Sequence, residues 1–195
     1  MTIEAPDPEE VLDFWLKDCG PDVWYAGGDA LDARIRDRFE GLWGLARDGG
    51  LSAWEEGPRA SLALLILTDQ FPRNMFRGTA TAFATDALAR RVAVQAIGRD
   101  DDLRTPEPER QFFYLPLEHS EALDDQDRAI DLIGERMDAP ETLLHARVHR
   151  EVIRRFGRFP FRNEALGRRN TAEEDRFLSE GGYGMVLRAF QAEGG

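Results

Sequence analysis

Residues 58–71, PRASLALLILTDQF, constrain the fold more than any other stretch of this chain. Pro58 suits the first turn of a helix, where its missing N–H costs nothing and its fixed φ is already helical. The run after it is apolar on nearly every side, and a helix of that kind is buried on several faces. Other helices must surround it. Pro72 is expected to end it, because an interior proline loses an i→i−4 hydrogen bond and its ring meets the carbonyl of residue i−4.

The rest of the chain supplies such partners. Asp7, Pro8 and Glu10 mark a capped start, followed by an apolar face of Val11, Leu12, Phe14 and Trp15. CGPDVWYAGG reads as a loop. Asp29 opens a helix carrying Leu31, Ile35, Phe39 and Leu42 or Trp43, and DGG at 48–50 closes it. Thr85 caps a helix ending at Gly98, and a short helix precedes Pro116. The next helix turns Leu123, Ile130, Leu132 and Ile133 inward. Another runs from Pro140 to Gly157 with the stripe Leu144, Val148, Val152, Phe156. Thr171 and Glu174 form a capping box. Strand signals do not recur. The chain therefore reads as an all-α, single-domain antiparallel helical array over residues 1–195, with no linker and a loosely attached C-terminal tail from about 181.

Composition narrows the function. A hydrophobic content of 42% suffices for a core, and a net charge of −12 argues against nucleic acid or an anionic membrane as the partner. LALLIL is the longest apolar run, far short of a membrane span. The start, MTIEAPDPEE, is acidic and does not resemble a signal peptide. Cys19 is alone, so neither a disulfide within the chain nor a cysteine-based zinc site is expected. The expected location is the cytoplasm. Lys17 is the single lysine among 25 basic residues, a bias that codon usage explains and that also suits bidentate gripping of carboxylates and phosphates.

One motif occurs twice. FPRNMFRG at 71–78 and FPFRNEALG at 159–167 each place Phe-Pro ahead of Arg-Asn, with Gly four residues after the Asn. Pro, Asn and Gly are turn chemistry, so the plainer reading is a repeated helix–turn–helix staple. Turn chemistry does not account for arginines so near the core; those need carboxylates or a ligand. The two turns are expected to lie close in space, and Asp69 is expected to pair with one of their arginines.

LTDQFPRNMFRGTATAFATDALA, RQFFYLPLEHSE and HREVIRRFGRFPFRNEALGR resemble the signature blocks of one family, domain-of-unknown-function family 924, and VLDFW near the start fits as well. The resemblance covers nearly the whole chain. It implies a tetratricopeptide-like α–α superhelix and carries no established activity. One position departs: the family pattern is Phe-Pro-His-Arg-Asn, and here Phe161 stands where that His would be.

The candidate chemistry gathers around the three histidines. His119 lies between Glu118 and Glu121, while His145 and His149 share a helix face. Asp69, Glu118, His119, Glu121 and His149 could divide acid and base roles, or could form a structural ion-pair network. No zinc-protease spacing, nucleophile elbow, dinucleotide fingerprint or Walker sequence occurs, so neither a cofactor nor a metal is expected. Residues 100–141 carry 14 acidic against 4 basic side chains, and residues 145–169 carry 8 arginines against 2 acids. The best reading is a binding module with an Arg/Asn-rich polar pocket formed by Arg73, Asn74, Arg77, Arg158, Arg162 and Asn163, fit for a small anionic ligand or an acidic peptide end. An enzyme using a His/carboxylate acid–base pair and a helical protein-interaction scaffold are the alternatives.

Overall fold

A computed structural model describes residues 6–193; residues 1–5, within the acidic start, and 194–195, at the end of the expected tail, lie outside it. Every regular element among the described residues is helical. The chain forms two compact units, one of residues 6–77 and 81–116, the other of residues 78–80 and 117–193.

The first unit contains α1 (Pro8–Leu12), α2 (Pro21–Trp24), α3 (Asp29–Arg47), α4 (Pro58–Leu65), α5 (Phe71–Met75) and α6 (Asp86–Gly98). Asp7 caps α1 by accepting a hydrogen bond from the Glu9 amide, and α1 continues as a π-helical segment, Asp13–Cys19. CGPDVWYAGG is not all loop, since Pro21 starts a single helical turn. On α3 it is Trp43, and not Leu42, that completes the buried stripe of Leu31, Ile35 and Phe39. Residues 61–72 are all buried, and α1, α3 and α6 pack around this central stretch. Truncating one of its leucines to alanine would cost about 2–5 kcal/mol, as transfer and cavity costs add.

Pro72 does not end the central helix. A π-helical segment, Ile66–Gln70, joins α4 to α5, with the Phe71 amide reaching back to the Ile66 carbonyl. The wider turn makes room for the proline ring. It also leaves the Thr68 carbonyl, which a residue-72 amide would have used, in need of a donor. The Thr85 hydroxyl supplies it at 2.6 Å and accepts from Trp43 Nε1 at 3.1 Å. Thr85 occupies the N-cap position of α6 yet makes no capping hydrogen bond; its hydroxyl oxygen accepts from Trp43 Nε1 and its proton goes to the Thr68 carbonyl.

α7 (Leu115–Glu118) follows, the chain passing from the first unit to the second after Pro116 as it also does around residues 78–80. The second unit then comprises α8 (Leu123–Arg136), α9 (Pro140–Phe156), α10 (Ala172–Ser179) and α11 (Gly182–Glu193). Gly157 closes α9 in the left-handed conformation at φ 67°. Leu123, expected inside, is exposed at the first position of α8, and Ala129, Leu132 and Ile133 form the buried face. The tail beyond 181 is not loosely attached. It forms α11, whose Val186 is buried and whose Tyr183, Met185, Leu187 and Phe190 pack against Val148, Val152, Ile153, Phe159 and Phe177. The spacing 183, 186, 187, 190 is one helix face, which gives this segment a reason to dock.

Candidate functional site

The first Arg-Asn turn lies in the first unit. Arg73 is held by two carboxylates: its Nη1 is 3.3 Å from Asp69 Oδ1 and 3.0 Å from Asp86 Oδ1. Its Nη2 donates to Asp86 Oδ2 at 3.1 Å. Burial works against the guanidinium's charge, and the charges of Asp69 and Asp86 outweigh it, so the pKa of Arg73 is raised. Asp69 is 1% exposed and accepts from Gln70 Nε2 as well. Asn74 donates to Asp32 Oδ1 at 2.8 Å, and Arg77 grips both oxygens of that carboxylate at 3.0 and 3.1 Å. Asp69 therefore pairs with an arginine of its turn, as expected. Asp32 and Asp86, unsuspected in the sequence, complete the network. Each lies in the first turn of a helix, where an acid is ordinarily explained by the helix dipole alone.

The second turn is stapled in its own way. Arg158 clasps Glu174 through Nε and Nη2, at 2.6 and 2.7 Å. That hydrogen bonding lowers the Glu174 carboxyl to about 2, with burial opposing it and the Thr171 amide adding to it. Glu121 accepts from the Phe159 amide at 2.8 Å and from Arg168 at 2.8 and 2.9 Å. Burial pushes the Glu121 carboxyl up, and these donors outweigh it, leaving its pKa lowered. Arg162 is buried with its guanidinium 4.4 Å from the centre of the Phe159 ring. Asn163 donates to Asn170 at 2.7 Å. Both asparagines are right-handed helical or in a helical turn, and the left-handed role falls to Gly78 at φ 77° and Gly167 at φ 64°. Phe161 is 45% exposed and leans on Phe159.

All three histidines belong to the second unit, and they converge. Glu118, 1% exposed, places Oε2 3.4 Å from His149 Nδ1. Its other oxygen, Oε1, is buried with no hydrogen-bond partner. The rings of His119 and His149 meet edge to face with centroids 5.9 Å apart. Phe159 and Tyr183 approach His149 at 5.6 and 5.2 Å. Tyr183 stacks on His145 at an interplanar angle of 7° and shares a short hydrogen bond with its Nδ1. Burial, then the charge of Glu118, pushes the Tyr183 phenol up, so it stays neutral. Gln126 fixes the loop after α7 by donating to the carbonyls of Glu118 at 2.6 Å and Ser120 at 2.7 Å. Among the described residues no group of three or more His, Cys, Asp or Glu side chains is placed to hold a metal ion.

Of the expected site residues, Glu118, His119 and His149 thus form one cluster, while Glu121 serves the second turn and Asp69 the first. Tyr183 was missed because GGYG resembles a loose tail; its apolar spacing with Val186 and Phe190 was the available signal.

The helical fold and these motif blocks define a family. The chain belongs to the bacterial proteins of unknown function DUF924, whose family model matches residues 11–182. A solved structure of a protein of unknown function from Agrobacterium tumefaciens is similar, at 46% identity and a TM-score of 0.84, over 89% of this chain and 97% of that one. No curated protein matches. Among the described residues no helix is long and apolar enough to cross a membrane.

Proposed function

We propose that the second unit carries a small-ligand site that moves a proton, with His149 as the acid–base group and Glu118 as its orienting partner. The observation supporting this is a fully buried carboxylate set against a half-buried imidazole. Burying a charge is costly unless it is compensated, and uncompensated ones concentrate at functional sites. With Nδ1 turned to Glu118, Nε2 is the nitrogen that takes a proton from a bound ligand. The imidazolium so formed is held through Nδ1 by Glu118, and the proton returns to the ligand at another atom, restoring the site. Tyr183, neutral and adjacent, is a hydrogen-bond donor and not a base.

An anion pocket at the Arg-Asn turns has less support, because Arg73, Arg77 and Arg158 each grip a carboxylate of their own unit. The two turns read better as staples. The test is to incubate the protein with a bacterial small-molecule extract and follow every metabolite by mass spectrometry. One metabolite should be converted by the wild type and about 10²–10⁴-fold more slowly by His149→Gln, the usual contribution of a general acid or base. Conversion unchanged in His149→Gln, or none by the wild type, would refute the reading.

A further inference from the structure

We infer that the ligand of this site offers a primary ammonium, or a similar cationic N–H donor, to Glu118. The inference rests on the acid–base reading above and gives its ligand a chemical class. Four other buried carboxylates show how this chain pairs such a charge. Asp32 has Arg77 at 2.9 Å, Asp69 has Arg73 at 3.3 Å, Asp101 has Arg99 at 2.8 Å and Glu174 has Arg158 at 2.6 Å. Glu118 is as buried as these, and among the described residues neither arginine nor lysine faces it. Its Oε2 has only His149, at 3.4 Å, whereas a charge-assisted N–H···O bond is typically about 2.7–2.9 Å. Its Oε1 has nothing. Four other buried acids are met by arginine and two, Asp102 and Asp125, accept from the hydroxyls of Tyr114 and Ser120 at 2.6 Å, whereas Glu118 has one long contact to an imidazole, and a cationic N–H from outside would complete it.

The surrounding side chains suit that cation. His149 meets the carboxylate through its Nδ1 edge and the Tyr183 ring lies 5.2 Å from the imidazole; aromatic faces attract cations. Phe159 is already covered by the Arg162 guanidinium, which leaves Tyr183 for the ligand. An anion would instead meet the Glu118 charge, which already acts on the Tyr183 phenol. Approach is over the imidazole: the His149 side chain is 18% exposed and that of Glu118 only 1%.

The chain's three histidines make the site easy to watch, since all lie in this unit. Their imidazole NMR signals are followed while ethylammonium chloride, sodium acetate or sodium phosphate is added at constant ionic strength. Ethylammonium should shift His149 saturably, with His119 following, and acetate and phosphate should move neither. Glu118→Gln should weaken ethylammonium binding at least about tenfold, as expected for losing a bond to a charged acceptor. If that variant does not fold, the comparison of the three salts on the wild type decides alone. Saturable shifts with acetate or phosphate, no shift with ethylammonium, or equal binding by Glu118→Gln would overturn the inference. A protein that converts a metabolite through His149 and ignores ethylammonium keeps the acid–base reading and loses this ligand class.

Discussion

Asp69→Asn tests whether the first Arg-Asn turn is a structural staple. The substitution keeps the shape and removes the charge. In the native chain the Asp69 side chain is 2% exposed and the Arg73 side chain 21%. Asp69 accepts from Gln70 Nε2 on one oxygen and faces Arg73 on the other. An asparagine amide must point its NH₂ at one of these two donors, so a donor–donor conflict replaces an attraction. Removing one partner of a buried pair costs about 3–5 kcal/mol. Asp86 still holds Arg73, at 3.0 Å, which argues for the lower end, about 3 kcal/mol. At about 2–4 °C per kcal/mol for a chain of this size, the melting temperature should fall by about 6–12 °C. Circular dichroism melts, with a denaturant titration to check that the slope m is unchanged, measure this directly. Asp48→Asn, which breaks the exposed Arg47–Asp48 pair, is the control and should leave the melt where it was. A fall of less than about 2 °C for Asp69→Asn would mean that the charge is not needed and that the staple account is mistaken.

Glu174 gives a pH signature. Its carboxyl is lowered from 4.5 to about 2, so its pairing with Arg158 stabilises the fold fully above about 4.5 and is lost as pH falls toward about 2. Glu174→Gln should flatten the acid limb of a stability-against-pH curve, and an unchanged limb would place the acid sensitivity elsewhere. Thr85→Val should cost about 2–4 kcal/mol by urea denaturation, since it orphans both the Thr68 carbonyl and the Trp43 indole N–H; a loss below about 1 kcal/mol would show that the π-helical segment does not depend on that hydroxyl. Ending the chain after Gly181 should expose the faces of Val148, Val152 and Phe177 that α11 covers. Loss of cooperative melting or aggregation is expected, and a soluble protein melting like the full chain would restore the loose-tail picture.

Helix type was legible where local chemistry and apolar period agreed. The capped starts at Asp7 and Thr171 and the left-handed stop at Gly157 stand as read. Pro72 misled because local propensity cannot foresee that a widened turn and a hydroxyl 13 positions away would accommodate it. The candidate site was legible in part. The spacing of His145 and His149 placed them on one face, and the flanking acids of His119 were visible. Which acid would be buried beside which histidine was not, because Glu118 and Glu121 differ only in what they meet in space. Glu121 finds Arg168 and a backbone amide, while Glu118 finds His149.

The central claim is that Glu118 holds His149 by Nδ1 and leaves Nε2 to do the chemistry. The ¹⁵N shifts of the His149 imidazole, recorded on the wild-type protein above the pH at which the ring is protonated, test this without any ligand. A neutral ring with its proton on Nδ1, directed at Glu118, and none on Nε2 is the result this geometry predicts. A proton on Nε2 with Nδ1 bare would set two acceptors against each other across the pair, and His149 could not be the base described here.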